Sequence, residues 1–181
     1  MSYAIVGFGK IGQALARAFA RKNINVAIAS RRPPEELEPQ ARAIGPTVIA
    51  KSLRDALEAD TIILAVPFGE HREVAKLLPS WKGKTVIDAM HALVSSEDVD
   101  GLPSSVFVAK SFTGAKLVKG FNHLPAANLA ADPIVEGSHP SSWESSTKVA
   151  LWWTHAIAFG GCRSFSRICS KRSSNRYDRV N

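Results

Sequence analysis

Gly7-Phe8-Gly9-Lys10-Ile11-Gly12 follows the apolar tetrad Tyr3-Ala4-Ile5-Val6 and opens a stretch in which Ile11, Ala14, Leu15, Ala18 and Phe19 recur at helical spacing. The pattern G-x-G-x-x-G carries little alone; between a buried strand and an amphipathic helix it reads as a phosphate cradle. Gly7 permits the tight turn. Gly9 keeps a Cβ out of the path of a pyrophosphate, and Gly12 lets the helix lie close to the strand. Free N–H groups and the positive helix end then face the phosphates. The alternative is a glycine-rich turn with no ligand; the flanking strand and helix argue against it.

The end of the second apolar run, Val26-Ala27-Ile28-Ala29, decides which dinucleotide fits. A site for NAD places an acid about 20 residues beyond the glycines to hold the ribose 2′-hydroxyl. Ser30-Arg31-Arg32 stands there instead. A hydroxyl and two permanent cations suit a 2′-phosphate, so NADP(H) is the expected cofactor. The alternative for Arg31 and Arg32 is a solvated loop edge. Further on, Val66-Pro67-Phe68 ends the fourth apolar run, and the proline turns the chain out over the sheet edge. Phe68 suits either a flank for the nicotinamide or a buried loop anchor. Asp88 reads as a turn-capping acid. Met90, His91 and Asn122 are the residues expected on the acceptor side. No catalytic residue is assigned. The chain shows no Ser-His-Asp set, and six residues separate Cys162 from Cys169 with no matching His spacing, so no metal site is expected.

These residues need elements to position them. Short apolar runs at 3–6, 26–29, 47–50, 61–66 and 84–88 alternate with helical patterns from residue 10, from 33 up to the stop at Gly45, over 52–59 and over 70–78. Such alternation predicts a Rossmann-type α/β fold: a doubly wound, mainly parallel sheet with helices on both faces. Residues 104–112 suit a helix or a strand. Residues 116–121 read as a sixth strand and 125–131 as a short Ala-rich helix.

The chain has 181 residues, 45% hydrophobic and 22% charged, which excludes collagen-like, coiled-coil and wholly disordered classes. No apolar run reaches the ~18–20 residues that cross a bilayer, and no signal peptide is visible. With two cysteines a disulfide framework is not expected, and a cytoplasmic setting is. Residues 1–137 hold 16 Lys and Arg against 14 Asp and Glu, while residues 138–181 hold 7 against 2. The basic charge therefore belongs mostly to the tail, and neither nucleic acid nor a membrane is an expected partner of the body. Two parts follow: a dinucleotide-binding domain over 1–137 and an irregular Ser/Arg/Trp-rich tail over 138–181. The tail contains one apolar stretch, 149–159. It reads as a truncated or non-native terminus or as a divergent genuine one.

The segments GFGKIG, ASRR, LAVPF, KTVIDAM and GAKLVKGFNHLPAANLAADP together resemble the NADPH-dependent F420 reductase-like family, over about residues 3–137. The resemblance implies a Rossmann domain with NADP(H) at the glycine loop and the strand-two arginines. It also implies hydride exchange with coenzyme F420 or another small-molecule acceptor, and a homodimer. Two departures are visible. Members commonly carry Asn where this chain has His91, and they continue past Pro133-Ile134-Val135 with a strand and helix that the tail does not resemble. Two other functions suit the same residues: an NADPH reductase for an imine, ketone or ferric chelate, and an NADP(H)-binding module without turnover.

Overall fold

Runs such as Ala4-Ile5-Val6 and Ile62-Ile63-Leu64 become strands here because they are buried on both faces. The computed structural model of the chain describes residues 1–91, 104–121 and 125–131. Strands β1 (Tyr3–Val6), β2 (Val26–Ala29), β3 (Val48–Ala50), β4 (Thr61–Leu64), β5 (Thr85–Asp88) and β6 (Lys116–Lys119) form one sheet in the order β3-β2-β1-β4-β5-β6. Every neighbouring pair is parallel. This is the Rossmann order, and it reverses between β1 and β4, where the carboxyl ends of such strands open a ligand crevice. The register brings the functional edge level. Val6 lies opposite Ala29 and Leu64, Leu64 opposite Asp88, and Asp88 opposite Lys119.

The helices are α1 (Lys10–Arg21), α2 (Pro34–Ile44), α3 (Leu53–Ala56), α4 (His71–Lys76), α5 (Ser104–Ser111) and α6 (Ala126–Ala130). Alternate strand residues point to opposite faces. Ala4, Val6, Ile62, Leu64 and Val86 join Ala56, Val74, Ala75 and Val108 in one buried cluster, so α3, α4 and α5 cover that face. Ile5 points the other way and is equally buried, with Leu15 and Phe19 of α1 also buried. The Phe19 ring packs 5.3 Å from the Tyr3 ring. Arg21 donates to the carbonyls of Ala130 and Ala131, which ties the end of α1 to the end of α6.

Local chemistry sets the boundaries. Pro33 and Pro34 open α2, Glu35 and Glu36 sit in its first turn, and Gly45 follows its end. Ser52 caps α3: its hydroxyl accepts the Asp55 N–H at 3.1 Å and donates to the Asp55 carboxylate at 2.7 Å. At the opposite edge of the sheet Asp60 accepts the Ser2 N–H at 2.7 Å and the Ser2 hydroxyl at 3.0 Å. These bonds hold the Asp60 carboxyl below the usual carboxylate range and pin the start of β1 beside β4. The ambiguous segment from Ser104 is a helix because Val108 and Phe112, four residues apart, both enter the cluster. The element after β4 begins as a tight 3-10 turn, Phe68–Glu70, before α4. The expected apolar element at 149–159, the tail at 138–181 and Asn122 lie outside the described residues.

Candidate functional site

The three glycines of the first loop behave differently. Gly7 has φ +102°, and a Cβ there would stand 2.4 Å from the Ala65 carbonyl oxygen. A Cβ on Gly12 would stand 2.0 Å from the Gly7 carbonyl oxygen. These two glycines close the loop against β4 and α1. Gly9 has ordinary extended backbone, φ −81° and ψ −164°, and a Cβ there would meet nothing within 4 Å. Gly9 is also the N-cap of the 12-residue α1, with no side-chain cap and no acid in the first turn. The residues present therefore fit a pyrophosphate: clear approach at Gly9, and a positive helix end with no side-chain cap and no acid in its first turn. Phe8 is buried and presents a ligand only its backbone. Lys10 is exposed at the first turn of α1.

The turn after β2 is held by the Ser30 hydroxyl, which accepts the Arg32 N–H at 3.0 Å. Arg31 and Arg32 are both exposed. Arg31 is engaged by a group that sequence reasoning missed: its Nη1 lies 3.2 Å from Oε1 of Glu70 in the turn after β4. The two residues are 39 positions apart, and only the fold brings them together.

A cavity of about 250 Å³ opens beside the glycine loop, lined by Ile11, Ala65, Val66, Ala89, Met90, His91 and Phe121. Ile11, Val66, Met90 and His91 were expected at the site; the first turn of α1 brings Ile11 there, and the level ends of β4 and β5 bring the other three. Pro67 and Phe68 do not line the cavity. Pro67 opens the 3-10 turn, and Phe68 packs on the core cluster with its ring 4.9 Å from the His71 ring. Phe121 was not expected. It is buried and has a left-handed backbone, φ +66°, uncommon for a bulky side chain. Strain of this kind clusters where a fold holds a site.

Asp88 supports one wall of this cavity. It is fully buried. Its Oδ1 accepts the Met90 N–H at 2.9 Å, which makes it the turn-capping acid the sequence suggests. Its Oδ2 accepts from Lys119 Nζ at 2.8 Å, and Lys119 also donates to the Met90 carbonyl at 3.1 Å. A buried carboxylate needs such compensation. Lys119 was missed because its partner is set by the β5–β6 register. The pair holds the Met90 turn and leaves the cavity with mainly apolar walls. Among the described residues no three His, Cys, Asp or Glu side chains group to hold a metal. None of the helices among them is long and apolar enough to cross a membrane.

Comparison with known proteins bears on this geometry. The family described as NADP oxidoreductase, coenzyme F420-dependent, matches residues 2–92. A hypothetical protein from Sinorhizobium meliloti, of solved structure, is 36% identical, with a TM-score of 0.71 over 83% of this chain and 80% of that one. A candidate F420-dependent NADP reductase from Arthrobacter sp. FB24 is 20% identical, with a TM-score of 0.61 over 84% and 80%. An imine reductase from Bacillus cereus BAG3X2 is 18% identical, with a TM-score of 0.51 over 83% and 51%. The last two speak for the fold alone. No curated protein matches the chain. On the matched residues, and on its likeness to the Sinorhizobium protein, the chain belongs to the coenzyme F420-dependent NADP oxidoreductase family and is an oxidoreductase.

Proposed function

We propose that the chain binds NADP(H) across the crevice between β1 and β4 and exchanges hydride with a small planar acceptor, coenzyme F420 or another flavin-like molecule. One observation carries this reading: the Ser30-Arg31-Arg32 turn offers a hydroxyl and two cations, with no carboxylate at the end of β2, beside a glycine loop that is open at Gly9. Gly7, Gly9 and Gly12 shape the cradle for the pyrophosphate. Ser30, Arg31 and Arg32 hold the 2′-phosphate. Val66 flanks the nicotinamide from the end of β4, where Pro67 and Phe68 fix the turn. Met90 and His91 stand on the acceptor side, and Asn122 joins them in the same proposal. When bound, the nicotinamide supplies the hydride. The cavity's part is to position two rings face to face, which needs little acid–base help. Its mainly apolar lining accords with that task. The binding domain spans 1–137, and the reaction belongs in the cytoplasm.

The test is NADPH consumption by the full chain with F420, a flavin, a quinone, a ferric chelate and a cyclic imine in turn. F420 or the flavin should be reduced fastest. Faster turnover of the imine or chelate would overturn the acceptor while leaving the cofactor in place. NADPH binding with no turnover would make the chain a binding module, and absence of NADPH binding would remove the proposal.

A further inference from the structure

The ion pair between Arg31 and Glu70 crosses from the turn after β2 to the turn after β4, at the edge where the glycine loop also lies. Its two members differ in setting. The Arg31 side chain is 80% exposed, and that of Glu70 is 34% exposed. The contact is a single N–H to a single oxygen, Nη1 to Oε1, at 3.2 Å. A one-point contact on an exposed arginine gives little orientation; the forked, two-bond arrangement is the one that fixes a guanidinium. Glu70 is therefore poorly placed to aim Arg31. The turn that carries Arg31 is held separately, by the Ser30 hydroxyl and the Arg32 N–H.

Resting on the NADP(H) reading above, we propose that Glu70 is a specificity-determining residue that limits the preference of this site for a 2′-phosphate. A 2′-phosphate carries about −1.5 to −2 charges near neutral pH. To use Arg31 it must draw the guanidinium from the Glu70 carboxylate, and it then lies near that carboxylate. Both effects oppose NADP(H). Neither acts on NAD(H), which brings a hydroxyl to the same place. Glu70 thus supplies, from another loop, part of the negative charge that an NAD site would carry at the end of β2. Arg31 and Arg32 outweigh it, so the preference is reduced without being reversed.

Glu70→Gln keeps the side-chain length and removes the charge. An exposed ion pair is worth up to about 1 kcal/mol, which at 1.4 kcal/mol per decade is about fivefold in affinity. The experiment titrates the full-length protein, Glu70→Gln and Arg31→Ala with NADPH and NADH at low and at high salt. Glu70→Gln should bind NADPH about fivefold tighter at low salt and NADH unchanged. The gain should shrink as salt screens exposed charges. Weaker or unchanged NADPH binding by Glu70→Gln, or an equal gain for NADH, overturns the proposal. If Arg31→Ala meanwhile weakens NADPH selectively, the cofactor reading survives that failure. If Arg31→Ala affects both dinucleotides equally, the cofactor reading falls and takes this proposal with it.

Discussion

Gly9→Val is expected to abolish dinucleotide binding while the domain stays folded. The site at Gly9 is unusual among the glycines of the loop, because a Cβ there meets no atom of the described residues within 4 Å. Its φ of −81° and ψ of −164° are extended values that valine adopts readily. The folded chain therefore accommodates the side chain, at the cost of a poorer N-cap, about 1 kcal/mol. The ligand does not. Valine would fill the approach to the uncapped N-terminus of α1 and displace a pyrophosphate from its N–H donors. Hydrogen bonds to a charged group contribute about 1.5–3 kcal/mol each. Losing two of them lowers affinity by at least about a hundredfold. Calorimetric titration with NADPH, alongside a thermal melt, checks both halves. Normal NADPH affinity in a folded Gly9→Val protein would refute the phosphate-loop assignment.

Gly12→Ala, three residues on, should do the reverse and damage the fold itself. Its Cβ would stand 2.0 Å from the Gly7 carbonyl oxygen and 3.0 Å from the Gly7 carbonyl carbon. Both are backbone atoms, so no side chain can swing away. Gly7 is in turn wedged against the Ala65 carbonyl, so the loop has no room to retreat. Relief requires α1 to move off the sheet, where Leu15 and Phe19 are packed. Overpacking of this kind costs about 3 kcal/mol, a large part of the ~5–15 kcal/mol that holds a domain together. A chain of this size should lose about 10 °C in Tm. Thermal denaturation of Gly12→Ala measures it directly. A melting temperature equal to that of the parent would show that helix and loop are not packed as described.

The contrast between Gly9 and Gly12 shows what the sequence made legible. The motif named all three glycines, and the apolar tetrad before them and the helical periodicity after them placed them between a strand and a helix. Parallel strands buried on both faces are easy to find, because they read as unbroken apolar runs. Helix α2 was equally plain from its prolines, its first-turn acids and Gly45. Residues 104–112 were ambiguous because Val106-Phe107-Val108 has no period of its own; burial of Val108 and Phe112 against the sheet decides for helix. What was not legible is non-local. Glu70 meets Arg31 because the turns after β2 and β4 share an edge. Lys119 meets Asp88 because β5 and β6 pair in that register. Phe121 enters the cavity through a left-handed backbone that no neighbouring residue type announces. Each depends on strand order, which local patterns do not encode.

On the proposed function, the end of β2 reads a 2′-phosphate. The most direct measurement is calorimetric titration of the full-length protein with NADPH and with NADH in the same buffer, repeated on Arg31→Ala. NADPH should bind at least about tenfold tighter than NADH, the effect of one charge-assisted hydrogen bond. Arg31→Ala should lose most of that margin through NADPH alone. Equal affinities in the unmodified protein, or tighter binding of NADH, would contradict the account.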